Sequence, residues 1–190
     1  MDLLSCVPCF HTLHAFNVSR FAMPTTTTPA KEHQARWDEL VRDPSLRDLP
    51  YKVETNATGQ IVLTPHKAEH SDLQEAIQDL LRTHASGGRQ PPEYPITTSD
   101  GVKQADIVWM SAERRAEMKK TGDPPTLAPE ICVEVLSPNN RWANIEEKID
   151  LYREAGAEEV WVVDTERHVQ FFGEEQMEAS ALVPDFPREV

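Results

Sequence analysis

Glu134 sits inside the run Ile131-Cys132-Val133-Glu134-Val135-Leu136, where the only other ionisable side chain is the Cys132 thiol. Such a run reads as a central strand buried on both faces. An unpaired carboxylate there is costly, so it must be neutralised, paired or bound to a metal. A salt bridge between elements is the plain outcome. A carboxylate at a sheet crevice, ready for a divalent cation, is the outcome with chemistry in it.

Lys148 sharpens the choice. Projected at about 100° per residue, Ile145, Ile149, Leu151, Tyr152 and Ala155 form one face of a helix over residues 142–155. Lys148 falls near the middle of that face, whereas Glu146, Glu147, Asp150, Arg153 and Glu154 lie opposite. A helix with ample polar surface has no structural need to aim one lysine at its core. Either Lys148 meets a buried anion, or its stem snorkels past the rim of the sheet.

Asp106 supplies a second acid, at the start of a strand over residues 105–109. Alone, an acid there caps a turn as readily as it binds a ligand. Two carboxylates from neighbouring strands, with room for waters and a phosphate, suit a hard divalent cation. Asp106, Glu134 and Lys148 together suit phosphodiester hydrolysis. A metal held by Asp106 and Glu134 would activate water and polarise phosphate, while Lys148 stabilises developing charge or orients the nucleophile.

The elements that must position these residues are legible around them. A short helix is expected in Gln34–Asp43, then strands at Tyr51–Glu54 and Gln60–Thr64 joined by the turn Asn56-Ala57-Thr58-Gly59. Ser71 with Gln74 resembles a capping box for a second helix, whose stripe is Leu73, Ile77, Leu80 and Leu81. Gly87 and Gly88 end it. A short edge strand is expected around Ile96 and a solvated helix over Ser111–Lys120. Ser137 and Pro138 end the central strand, and Gly156 stops the helix after it. Further strands follow at Val160–Val163 and Val169–Phe172. Residues 166–190 hold six acids and two bases, so this tail is expected to be partly at the surface.

The chain has 190 residues, enough for one domain with one core. Residues 1–34 read as a poorly ordered leader containing the low-complexity run 25–30, with Met23 as an alternative start; residues 35–190 form the domain. Cys6, Cys9, His11 and His14 invite a zinc reading, but the spacing is far tighter than that of a finger. Three cysteines make no disulfide framework and fit a reducing, cytoplasmic setting. No apolar stretch is long enough to cross a membrane. With 32 acids against 19 Lys and Arg, the net charge is −13. That argues against loose binding to duplex backbone, yet leaves room for a nuclease whose metal brings local positive charge.

Residues 51–81, 104–111, 129–140 and 146–164 carry a family resemblance. Taken in order, YKVETNATGQIVLTPHKAEHSDLQEAIQDLL, QADIVWMS, PEICVEVLSPNN and EEKIDLYREAGAEEVWVVD resemble the Uma-two family of restriction-endonuclease-like proteins. That family lies within the PD-(D/E)xK nuclease superfamily. The resemblance covers roughly residues 35–172. It implies an α/β restriction-endonuclease-like fold, a central mixed sheet flanked by helices, and divalent-metal-dependent cleavage of nucleic acid with Mg²⁺ or Mn²⁺. By the same resemblance Asp106 matches the first active-site Asp, Glu134 the central acid, and Lys148 a lysine displaced from strand to following helix. The usual spacing would put that lysine at position 136, which is Leu136, and Ala105 stands where the motif has Pro. Glu54 matches the glutamate of the first strand, as an added ligand, a water-positioning base or a structural carboxylate. The family often carries a histidine at His70; His66 brackets the same helix start.

Three functions compete: a metal-dependent endonuclease acting on DNA, a nuclease fold that serves only binding or dimerisation, and a metal hydrolase of a small phosphorylated substrate. Exposed edge strands and the demands of duplex cleavage suggest a homodimer. Ser137 lacks a partner base for nucleophilic work, and Trp109, Trp142 and Trp161 suit packing better than base stacking. Deletion of residues 1–30 is expected to leave the folded domain's melting temperature unchanged; loss of soluble protein, or stoichiometric zinc on Cys6 and Cys9, would refute this.

Overall fold

The computed structural model describes residues 28–47, 49–65, 68–137 and 141–190. Cys6, Cys9, His11, His14, Met23, His66 and Pro138 lie outside these. Helix α1 spans Pro29–Arg42, beginning ahead of the expected start, with Pro29 in its first turn where a missing N–H costs nothing. A truncation after residue 27 would therefore keep α1 whole. Strands β1 (Tyr51–Thr55) and β2 (Ile61–Pro65) form a separate two-stranded antiparallel hairpin.

Helix α2 covers Ala68–His84. Ser71 is inside it rather than at its cap, so the expected capping box is not formed there. Strands β3 (Pro92–Thr98), β4 (Gly101–Trp109), β5 (Ile131–Val135), β6 (Glu159–Val163), β7 (Val169–Phe172) and β8 (Gln176–Met177) follow in that order across one six-stranded sheet. Only the β5–β6 pair is parallel; the others are antiparallel, so the sheet is mixed. Helix α3 (Ala112–Met118) follows β4, and α4 (Trp142–Glu154) forms the crossover between β5 and β6. No helix among the described residues is long and apolar enough to cross a membrane.

Two cores flank the sheet. On one face, Leu73, Ile77 and Leu81 of α2 pack on Ile107, Ile131, Val133, Trp161 and Phe171. On the other, Ile145, Ile149 and Tyr152 of α4 pack on Val108, Cys132, Val160 and Val162. All five residues of β5 and all five of β6 are buried, as their apolar runs demand.

The C-terminal tail is partly at the surface and partly in the core. Val183 and Phe186 are buried against the α2 face, and Phe186 stacks on Trp161 with ring centroids 4.5 Å apart. Its backbone is tied down by Glu159, whose Oε1 accepts from the N–H groups of Ala181 and Leu182 at 2.7 and 2.9 Å. The acids are on the outer side, while these two apolar residues complete the core.

Strand β4 is also longer than its apolar part. Its polar residues are tolerated because the β1 end of the hairpin covers them. Lys103 Nζ donates to Thr55 O at 3.1 Å and Asp100 Oδ2 at 2.6 Å, and Val102 N donates to Thr55 Oγ1 at 2.8 Å. Asp106 is consequently within the strand, not at its start. The closest approach is at Gly101, with φ of 86°, where an added Cβ would meet Thr55 O and Asn56 O at 2.6 Å. Gly101→Ala is therefore expected to destabilise the fold by about 1–3 kcal/mol through strain and the lifted hairpin. Urea melts check it, and a loss below a few tenths of a kcal/mol would show that the contact is dispensable.

Candidate functional site

The β4–β5 register pairs Ile107 with Val133 and thereby sets Asp106 beside Glu134, whose carboxylate meets Lys148 and Tyr152 of α4. Alternation slips at this point: Ala105 and Val108 join the α4-side core, whereas Ile107 joins the opposite one. Asp106 is 2% exposed and Glu134 4%. Both line a cavity of about 320 Å³ shared with Lys52, Glu54, His70 and Lys148.

Every oxygen of these two acids has a partner. Asp106 Oδ1 takes Lys52 Nζ at 2.5 Å and faces His70 Nε2 at 3.3 Å, and Oδ2 accepts the Val135 N–H at 2.7 Å. Glu134 Oε1 accepts the Tyr152 hydroxyl at 2.7 Å and Lys148 Nζ at 3.3 Å. Its Oε2 lies 3.1 Å from Lys148 Nζ and 3.9 Å from Lys52 Nζ. Glu54, also buried, receives Lys148 Nζ at 2.9 Å and the Gln104 N–H at 2.9 Å on Oε1. Asp106, Glu134, Lys148 and Glu54 thus converge on one cavity. Lys148 meets buried anions, not the rim of the sheet.

The local sequence explains each placement. Lys148, Ile145, Ile149 and Tyr152 share the inner face of α4, and the crossover from β5 to β6 lays that face over Glu134. Lys52 and Glu54 are two apart on β1, so both point to the same side of the hairpin. Lys52 and Tyr152 were not singled out by sequence reasoning, although both signals existed. Period-two alternation puts Lys52 wherever Glu54 points, and Tyr152 follows Lys148 by one helical turn. His70 reaches Asp106 from the first turns of α2. Ser137 lines the cavity's edge, Trp161 is core, and Trp142 is largely exposed with its Nε1 on Glu146.

Charge dominates the energetics. Burial alone would raise the Asp106 carboxyl, but the Lys52 ammonium and His70 hold it far below the usual carboxylate range. Burial likewise works against ionised Glu54, and Lys148 and Lys52 bring it below its ordinary value. Glu134 is held above its ordinary value, because burial and the neighbouring acids outweigh its two lysines. Burial disfavours the Lys52 and Lys148 ammoniums, yet the surrounding carboxylates keep both firmly protonated. His70 is raised by its hydrogen bond to Asp106.

Three carboxylates against two ammoniums leave the cluster with one negative charge in excess. Among the described residues no three His, Cys, Asp or Glu side chains converge as a ready metal cage. What the site offers is two hard carboxylates side by side, with the Lys52 ammonium hydrogen-bonded to Asp106 and 3.9 Å from Glu134. That donor set fits Mg²⁺, which is commonly held by one or two carboxylates and completes its shell with water and phosphate.

A family model for Uma2, described as "Putative restriction endonuclease", matches residues 37–186. No curated protein matches the sequence. Among solved structures, the crystal structure of "a putative nuclease belonging to DUF820 from Anabaena variabilis ATCC 29413" superposes with a TM-score of 0.55 at 20% identity. The likeness covers 66% of this chain and 73% of that one, and at this identity it speaks for the fold alone. Since the family match spans the whole sheet and every residue of the charged cluster, the chain belongs to the Uma2 family, with its restriction-endonuclease-like α/β architecture.

Proposed function

We propose that this chain is a divalent-metal-dependent endonuclease that hydrolyses phosphodiester bonds, with DNA as its expected substrate. The observation that carries the reading is the pair Asp106 and Glu134, set side by side on neighbouring strands with Lys148 Nζ 3.1 Å from Glu134. In this reading Asp106 and Glu134 hold Mg²⁺, for which Mn²⁺ substitutes. Bound there, the metal would supply an activated water and a polarised phosphate oxygen. Lys148 turns its ammonium toward the charge that develops on the phosphate. Glu54 fixes Lys148 and presents a carboxylate to the attacking water. Tyr152 orients Glu134 through its hydroxyl.

The assembly we favour is a homodimer in the cytoplasm. Its support is the β2 edge, where Ile61, Val62 and Leu63 are exposed apolar residues on a strand that pairs only with β1 among the described residues. The competing reading, a nuclease fold that only binds or dimerises, is favoured by one specific observation: the acids are already satisfied by lysines.

Cleavage assays on single-stranded DNA, duplex DNA, RNA and small phosphate esters separate these readings. Metal-dependent cleavage that EDTA abolishes is expected, with nucleic acid preferred over the small esters. Lys148→Met should lower it by about two orders of magnitude or more, the scale of lost transition-state electrostatics. Stability should fall by about 1–3 kcal/mol, since Glu54 and Glu134 each lose a charged partner. Undiminished cleavage by the folded variant would remove Lys148 from the reaction. No wild-type cleavage under any metal would favour the binding module.

Tyr152→Phe tests the support behind Glu134. Loss of the hydroxyl should weaken Mn²⁺ binding and cleavage together by about tenfold, the low end for partners that orient a metal ligand. Calorimetry beside cleavage rates checks it; lowered stability with both properties intact would make Tyr152 purely structural.

A further inference from the structure

Lys52 has a place in the cluster that the proposed reaction does not require. Its ammonium is buried, 2.5 Å from Asp106 Oδ1 and 3.9 Å from Glu134 Oε2. Among the described residues it is the one cation recorded against both acids: Lys148 pairs with Glu134 and Glu54, and His70 with Asp106. We propose that Lys52 is a tethered counter-ion that occupies the cation seat between Asp106 and Glu134, so that a divalent metal loads only by displacing it. This rests on the reading of Asp106 and Glu134 as the metal-binding pair.

The bonding of each oxygen makes the case. A carboxylate has about four lone-pair positions over its two oxygens. On Asp106, Oδ2 is committed to the Val135 N–H and Oδ1 is shared by Lys52 and His70. On Glu134, Oε1 is committed to Tyr152 and Lys148, leaving Oε2 between Lys148 and Lys52. Withdrawing His70, Tyr152 or the Val135 N–H would open a position on one acid only. Withdrawing Lys52 frees a position on Asp106 Oδ1 and removes the ammonium 3.9 Å from Glu134 Oε2, so the two oxygens are left facing a common point. A divalent ion on those oxygens at about 2.1 Å would crowd the ammonium both sterically and by charge.

The fold gives the lysine somewhere to go. Lys52 comes from β1, in the hairpin outside the main sheet, and its side chain lines the same cavity of about 320 Å³ as Glu54, Thr64 and Lys148. The same arrangement lets the domain fold before any metal arrives, because the acids carry their own counter-ion. Its cost is a higher metal concentration for loading.

Isothermal calorimetry with Mn²⁺ on the wild type and on Lys52→Met tests the competition. The variant is expected to bind at least about tenfold more tightly, as removal of one like charge beside a buried cation implies. It should also melt lower without metal and regain stability on Mn²⁺. Because the variant could fail to fold, reductive methylation of the wild type provides a second measurement, read by peptide mass spectrometry. Lys52 should be protected without metal and react about tenfold faster with saturating Mn²⁺, while Lys148 stays protected. Equal or weaker Mn²⁺ affinity in the folded variant, or Lys52 still protected in a protein that binds Mn²⁺, overturns the proposal. In either case wild-type cleavage would leave the nuclease reading standing. Absence of Mn²⁺ binding in both proteins would sink both.

Discussion

Three carboxylates and two ammoniums buried together are the constraint around which this domain is arranged. Each such ion costs several kcal/mol to remove from water, and only dense pairing recovers that cost. The pairing here draws on five elements. Lys52 and Glu54 come from β1, Asp106 from β4, Glu134 from β5, His70 from α2, and Lys148 with Tyr152 from α4. No two of these elements can shift relative to each other without leaving a buried charge short of a partner. The cluster therefore pins the hairpin, the sheet and both helix layers to a common point.

The β5–α4–β6 unit shows how a cation can move in sequence and remain in space. Position 136, one strand step past Val135, holds Leu136, so β5 itself offers no lysine. The parallel crossover that follows must fold back over the sheet, and it lays the inner face of α4 on the strand it has just left. Lys148 thereby approaches Glu134 from above, not from along the strand, and reaches Glu54 on the hairpin as well. The helix also contributes Tyr152, which a residue on the strand could not have supplied.

The overall acidity of the chain fits this picture once charge is considered locally. A surface carrying net negative charge repels nucleic acid at long range and suppresses nonspecific contact. Attraction would then have to come from the proposed metal, since the crevice itself holds three carboxylates against two ammoniums.

Much of the fold was written in local patterns. The apolar runs of β5 and β6, the stripe of α2, the amphipathic face of α4 and the stop at Gly156 depend on near neighbours alone, and the structure follows them. So does the inward aim of Lys148, since helical periodicity fixes which face a residue joins. Tertiary contacts decided the rest. The length of β4 depends on a distant hairpin that satisfies Lys103 and Val102, and the burial of Val183 and Phe186 depends on Glu159 capturing the backbone at Ala181 and Leu182. The partners of the acids were undecidable from sequence, because a carboxylate's need for a cation does not say which cation answers it. Strand register and helix packing made that choice, giving Glu134 to Lys148 and Asp106 to Lys52. Local sequence set which side chains point inward; only the folded geometry set which charges meet, because electrostatic pairing depends on separation in space and hardly at all on separation along the chain.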